Sequence, residues 1–248
     1  MMRIITWNCQ GAFRRKAGLI APYAPDIAVI QECERPERLT FPPHVAKPAT
    51  VLWFGERDAK GLAVFSYTGL RFTVDEAYDS TIRYCIPLHV HGLAQPLKLL
   101  AVWAMAHPDP RLSYVGQIAQ ALPQYERFLS QGETLAVGDF NSNACWDKRP
   151  RIGNHSWVVT TLAQHGLTSL YHEQTSEAHG EESRMTWFMH RKQKFAYHID
   201  YCFAPRAWLP GLRRFTVGEF EEWIPHSDHM PLLAEFARYT QIRMKTGV

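Results

Sequence analysis

Five short motifs carry the residue types that could do chemistry: Trp7-Asn8, Gln31-Glu32, Gly138-Asp139-Phe140-Asn141, His198-Ile199-Asp200-Tyr201 and Ser227-Asp228-His229. Each brings acidic, amide or imidazole groups up against a short apolar run. Strand ends are where a rigid scaffold hands polar groups to a shared cleft. Pooled, the motifs offer three aspartates, one glutamate, two asparagines, a glutamine and two histidines. A set rich in hard oxygen donors and lacking cysteine suits Mg²⁺ or Mn²⁺ better than zinc. Carboxylates crowded together repel one another unless a cation joins them, so the set itself predicts cation dependence. A divalent ion beside a charged histidine would neutralise the oxygens of an anionic phosphate ester and lower the pKa of a bound water.

The elements that must position these residues are short. Strand-like runs fall at 2–7, 26–31, 61–66, 82–90, 97–103, 133–138, 197–203 and 231–237. Several, such as Asp26-Ile27-Ala28-Val29-Ile30 and Thr134-Leu135-Ala136-Val137, are almost continuously apolar and read as strands buried on both faces. Helical spacing is clearest over 112–130, where Leu112, Val115, Ile118, Ala119, Leu122, Tyr125 and Leu129 share one stripe; weaker helices are expected at 14–23 and 156–166. Stretches 142–155 and 172–184 read as polar surface loops. Together these elements predict an α/β sandwich of stacked sheets flanked by helices.

The 248 residues, 46% of them hydrophobic, suffice for one large core, and no repeat or linker marks a boundary. A single domain over 1–238 with a short basic tail at 239–248 is expected. Net charge is +3, mean hydropathy −0.27 and pI near 8.6, a balance that permits phosphate contact without a strongly basic footprint. Five dispersed cysteines with no C-x-x-C pair, no signal-peptide pattern and no apolar run long enough to span a bilayer predict a reduced, cytoplasmic protein. Oligomeric state is left open.

In this order and spread from residue 7 to 229, the five motifs resemble the signature of the endonuclease/exonuclease/phosphatase superfamily, the DNase I-like group. The resemblance implies a four-layered α/β sandwich with two central, largely antiparallel mixed sheets flanked by helices. It implies Glu32 as principal metal ligand, Asn8 beside it, and Asp228 completing the acidic cluster. Asp139 would align and deprotonate the attacking water, and Asn141 would hold that water or a phosphate oxygen. His229 would contact the phosphate, with Asp200 accepting its hydrogen bond. Relatives place a tyrosine or histidine phosphate contact between the strand at 97–103 and the following helix. Here Met105 stands where a DNase I-like histidine would be, so His107 becomes the candidate.

Other constellations fail. Asp139-x-Asn141-x-Asn143 opens like a calcium loop, but Ala144 replaces the required glycine and Pro150 the closing glutamate. His172-Glu173 opens a zincin string, but Ser176 stands where the second histidine belongs and His179 lies too far along. No G-x-S-x-G elbow or glycine-rich phosphate loop is present. Arg149 and Arg151, and further along Arg191, Lys192 and Lys194, are candidates to track a phosphate backbone. Trp187 resembles an aromatic lining the leaving-group pocket of nucleic-acid-cleaving relatives, and Trp146 is placed to stack on a base. The leading expectation is a Mg²⁺- or Mn²⁺-dependent nuclease with nucleic acid as substrate. A phosphatase or phosphodiesterase of a small phosphorylated molecule is the alternative, and a catalytically silent binding domain the third reading.

Overall fold

The computed structural model describes residues 1–148 and 152–237. Arg149, Arg151 and the basic stretch 239–248 lie outside the described residues. Among the described residues fourteen strands form: β1 Met2–Asn8, β2 Ile27–Cys33, β3 Thr50–Arg57, β4 Lys60–Ser66, β5 Arg71–Val74, β6 Cys85–His91, β7 Leu97–Trp103, β8 Glu133–Asp139, β9 Leu167–Ser169, β10 Trp187–Phe188, β11 Ala196–Tyr197, β12 Asp200–Pro205, β13 Leu212–Val217 and β14 Leu232–Phe236. Six short α-helices accompany them among the same residues: α1 Ala17–Ile20, α2 Val115–Gln124, α3 Glu126–Ser130, α4 His155–Gln164, α5 Leu170–Thr175 and α6 Phe220–Trp223.

Two mixed six-stranded sheets result, ordered β13-β14-β1-β2-β4-β3 and β5-β6-β7-β8-β12-β9, plus a small β10-β11 ribbon. Each large sheet has one parallel pair at its centre, β1 with β2 and β7 with β8, while the other neighbours run antiparallel. Strand alternation explains the layering. Met2, Ile4, Val29 and Val64 of one sheet meet Leu99, Ala101, Leu135 and Val137 of the other in a common core. The opposite faces are also apolar, which is why these strands read as continuous runs. Ile5, Trp7, Ala28 and Ile30 pack under Phe13, Ile20 and Trp223. Leu100, Val102, Ala136 and Phe203 pack under Ile118 and Leu122 of α2 and Val158 and Leu162 of α4. Helix, sheet, sheet, helix is the sandwich the sequence implies.

The register collects the motifs at one end of both sheets. Asn8 pairs with Gln31 where β1 and β2 finish. Asp139 closes β8 opposite Asp200, the first residue of antiparallel β12. His229 lies just ahead of β14, which runs antiparallel to β1 and so starts beside the end of β1. Gly138 lets the two central strands of its sheet approach: a Cβ there would sit 1.9 Å from the Val102 carbonyl oxygen, and its φ of 145° suits glycine alone.

Local departures from the sequence reading have identifiable causes. The helix expected over 112–130 starts at Val115 and divides after Gln124, because Pro123 sits in its last turn. The segment 14–23 is two 3₁₀ turns around a four-residue α-helix, interrupted by Pro22. β6 begins at Cys85 rather than 82, after a 3₁₀ turn over Ser80–Ile82. Strands β3, β5, β9 and β13 escape the apolar-run criterion. All are edge strands, and in β5 only Phe72 is buried. The stretch 172–184 is less superficial than expected, since it includes four of the six residues of α5 and buries Glu182. Likewise 142–155 buries Ser142, Asn143, Asn154 and His155.

Candidate active site

Asp139 is fully buried, and its carboxylate is positioned from two sides. Asn8 Nδ2 donates to Oδ2 at 3.0 Å, and the Asn141 backbone N–H donates to Oδ1 at 2.9 Å. Asn141 reaches back because its φ is 48°, a left-handed turn that asparagine tolerates. Its amide also donates to the Ala104 carbonyl at 2.9 Å, fixing the side chain across the end of β7.

Across the cleft floor, His229 Nδ1 donates to both oxygens of Asp200, at 2.9 and 3.2 Å. Two buried hydroxyls align this pair. Thr186 Oγ1 accepts from the backbone N–H groups of Ile199 and Asp200, at 2.9 and 3.0 Å. Ser227 Oγ donates to the Asn8 carbonyl at 2.7 Å and accepts from the His229 N–H at 3.0 Å, tying β1 to the histidine turn. Trp7 Nε1 adds a bond to the His229 carbonyl at 2.9 Å.

One ligand atom from each of Asp139, Asp200 and His229 falls within 4.8 Å of the others, all three buried. Burial pushes Asp139 up, and repulsion from Asp200 adds to it; the opposing His229 charge and two hydrogen bonds leave its pKa at about 7. Burial alone would push His229 down, but Asp200, Asp139 and Asp228 together outweigh it and raise its pKa to about 10. A buried carboxylate that resists ionising, next to a second carboxylate, is the environment a hard divalent cation relieves. The donor set therefore fits such an ion.

The remaining expected residues are placed unequally. Trp187 is half-buried at the site: its Nε1 donates to Asp228 Oδ2 at 3.3 Å, and its ring lies 6.2 Å from that of His229. Glu32 follows the Asn8–Gln31 register pair at a β-bulge, with φ 57°, and its Oε2 is 2.5 Å from Lys60 Nζ. It is outside the converging trio. His107 is not brought to the site by any contact among the described residues; its Nδ1 accepts from the Asp109 N–H at 3.0 Å and so caps its own turn. Arg191 is committed to the Ile224 and Pro225 carbonyls and to Gln10.

A cleft of about 900 Å³ opens beside this group, bordered by Asn141 and Trp187 and by Tyr114, Trp146 and Tyr197. Trp146 packs 4.8 Å from Tyr197, and Tyr197 stacks 6.0 Å from Trp187, so an aromatic wall leads from the cleft to His229. Tyr114, Tyr197, Lys60 and Thr186 are additions to the set read from sequence, and Ser227, already in its motif, gains a role there. Tyr114 is 46% exposed at φ 52°, just before α2. An exposed tyrosine in a strained backbone conformation has no distinguishing pattern in sequence.

A family model described as "Endonuclease/Exonuclease/phosphatase family" matches residues 5–229. The chain belongs to the endonuclease/exonuclease/phosphatase family. Its fold is similar to that of NExo, a 3′ phosphatase from Neisseria solved with a product DNA hairpin: TM-score 0.67 and 21% identity, over 95% of this chain and 99% of that one. The 3′-5′ exonuclease NExo from Neisseria meningitidis gives 0.66 and 23%, again over 95% and 99%. An AP endonuclease from Archaeoglobus fulgidus gives 0.65 and 17%, over 96% and 100%. No curated protein matches the sequence. Family membership makes this chain one of a group of hydrolytic nucleases and phosphatases, and the likeness to the solved structures establishes the DNase I-like fold.

Proposed function

We propose that this protein is a single-domain, divalent-metal-dependent phosphoesterase that hydrolyses phosphodiester bonds of nucleic acid. The observation carrying the reading is the constellation of buried Asn8, Asp139, Asp200 and His229 with half-buried Asn141, opening onto an aromatic-walled cleft. Asn8, Glu32 and Asp228 would hold Mg²⁺ or Mn²⁺ with the buried carboxylates. When bound, such an ion supplies charge neutralisation at the phosphate and acidifies a water.

The chain's own residues do the rest. Asp139, held at both oxygens by Asn8 and Asn141, accepts the proton of the attacking water. Asn141 orients that water or a phosphate oxygen. His229 keeps its Nδ1 proton on Asp200 and presents Nε2–H to a phosphate oxygen as charge grows there. Its partner carboxylate both fixes the ring and favours the imidazolium. Tyr114 and Lys148, rather than His107, border the cleft where the substrate phosphate would enter. The aromatic wall favours nucleobases over a bare headgroup, because every base offers a face to stack and a simple phosphate ester does not. The structural likeness to a 3′ phosphatase solved with a DNA hairpin supports the same substrate class.

A side-by-side activity screen tests this reading. Wild type and Asp139→Ala would be given plasmid, single-stranded DNA, RNA, an abasic duplex, a 3′-phosphorylated oligonucleotide and a small phosphomonoester, with Mg²⁺, Mn²⁺ or EDTA. Cleavage of a nucleic acid that needs the metal and disappears with the substitution is expected. Turnover that survives both EDTA and Asp139→Ala removes the mechanism. Turnover of the small phosphomonoester alone retires the nuclease assignment.

A further inference from the structure

A second group of chemistry-bearing side chains gathers outside this site, in the segment after α5. That helix ends at Thr175, and Ser176 turns the chain in the left-handed region at φ 59°. The reversal lays the His179 ring on the His172 ring at 3.5 Å and 19°. Glu182, its side chain 3% exposed, then places Oε1 3.1 Å from His172 Nε2. One ligand atom from each of His172, His179 and Glu182 lies within 4.8 Å of the others. From α4, buried His155 brings Nε2 to 3.3 Å from His179 Nδ1. Four ligands at 2.0–2.1 Å around a tetrahedral Zn²⁺ stand about 3.3 Å apart; the His172–Glu182 separation of 3.1 Å is close to that edge, and the stacked His172 and His179 rings swing apart for both nitrogens to face one ion.

The surroundings are those of metal ligands. Ring nitrogens opposite the cluster are held by hydroxyls: His172 Nδ1 by Ser169 Oγ at 2.7 Å, and His155 Nδ1 by Ser142 Oγ at 2.9 Å. Such contacts fix tautomer and ring orientation. Glu182 Oε2 accepts from Asn143 Nδ2 and the Gly180 N–H, each at 3.0 Å, so the carboxylate is oriented as well. His198, buried with its ring 6.0 Å from that of His172, donates from Nδ1 to the Arg184 carbonyl at 2.7 Å. Its Nε2 has no hydrogen-bond partner among the described residues, leaving a buried lone pair within the cluster. A surface groove of about 360 Å³ bordered by His172 and His179 gives an ion a way in.

We propose that His172, His179 and Glu182 form a Zn²⁺ site, separate from the catalytic group, that pins the 176–184 segment to α5, with His155 of α4 backing His179. Two imidazoles and a carboxylate suit zinc rather than the harder ions expected at Asp139. The three residues tie a loop to a helix, so the role is mechanical. The site also braces the active site: Asn143, bonded to Glu182, donates to the His198 carbonyl at 2.8 Å, two residues before Asp200.

The test uses the full chain carrying Asp139→Asn and His229→Gln, so that the catalytic group cannot supply the ligands. Protein stripped with a chelator is reloaded with Zn²⁺ or Co²⁺, freed of excess ion by gel filtration, and assayed for metal content, Co²⁺ visible spectrum and Tm. Retention of about one ion per chain, an intense tetrahedral Co²⁺ spectrum and a Tm raised by Zn²⁺ are expected. All three should be lost on adding His179→Gln, a half-buried position, while the far-ultraviolet circular dichroism stays that of the parent. Failure to retain either ion, a weak octahedral Co²⁺ spectrum, or retention unchanged by His179→Gln overturns the proposal. Glu182→Gln, which keeps the acceptor to Asn143 but removes the charge, should weaken Zn²⁺ retention by at least tenfold; no weakening counts against it.

Discussion

Asp139 and His229 titrate upward for different reasons, and the difference sets the expected pH response of the active site. Asp139 must lose its proton to act as a base, and burial holds that step up at about 7. His229 must keep its proton, and its carboxylate neighbours extend this to about 10. Activity is therefore expected to rise on an acidic limb at or below about 7, the bound cation drawing it down, and to fall through about 10. Asp200→Asn removes the largest force raising His229, so the alkaline limb should move to lower pH; pH–kcat profiles of wild type and variant check it. Loss of either side chain, in Asp139→Ala or His229→Ala, should lower kcat by about a thousandfold or more, roughly 4 kcal/mol of barrier. Lys60 makes a separate prediction. Its ion pair with Glu32 is half-exposed on the lysine side, and such pairs contribute only ~0–1 kcal/mol. Lys60 still competes with a cation for that carboxylate, so Lys60→Met should lower the Mg²⁺ concentration giving half-maximal activity, by a few-fold; an unchanged or raised requirement would show Glu32 does not bind the ion. The converging residues were legible because motif and strand end coincide, as at Val137-Gly138-Asp139. Lys60 and Tyr114 were not, because their places depend on a hairpin and a turn that bring distant chain to the cleft.

Elements explain where sequence reading succeeds and where it stops. β1, β2, β7 and β8 are central and apolar on both faces, so composition alone marks them, whereas edge strand β13 exposes Arg213 and Arg214 and carries only Phe215 buried. The same reasoning isolates Gly138 as the position where two strands set the site. A methyl at 1.9 Å from the Val102 oxygen must push β7 from β8, so Gly138→Ala should cost about 3 kcal/mol or more of unfolding free energy, read as a lowered urea midpoint. Activity should fall further than stability, since Asp139 is the next residue. β8 also carries a pH signature. With EDTA present, Asp139 is protonated in the folded chain up to about 7 but ionises near 3.8 when unfolded. A carboxyl raised in this way opposes folding progressively as pH rises from about 4 to about 7. The buried histidines His155 and His179 act with the opposite sign, since their lowered folded values favour folding as pH rises toward 6.5. The Tm difference between Asp139→Asn and wild type cancels those histidines. It should shift in favour of the variant between pH 4 and 7, and added Mg²⁺ should reverse the gain; a flat difference would show Asp139 is not held protonated.

For the whole molecule, the formal charge of +3 is too small to define a substrate by electrostatics. No helix among the described residues is long and apolar enough to cross a membrane. In the proposed reading recognition is by shape instead: two sheets deliver the candidate catalytic group at one end, and the chain around Trp146, Trp187 and Tyr197 builds a wall beside it. Trp146 is 42% exposed and supported by Tyr197 rather than buried in a core, so its indole face is available to a base. Stacking of one base on an aromatic side chain contributes about 1–3 kcal/mol. Trp146→Ala is therefore expected to raise KM for a single-stranded oligonucleotide by roughly ten- to a hundredfold with little change in kcat, because Asp139 and His229 are untouched. Hydrolysis of a small phosphomonoester lacking a base, if the protein turns one over, should be unaffected. A loss of kcat on both substrates would mean that Trp146 holds the active site in shape rather than holding the nucleic acid. Equal KM on the oligonucleotide would mean that the aromatic wall does not face the substrate, and the preference for nucleic acid over a small phosphorylated molecule would go with it.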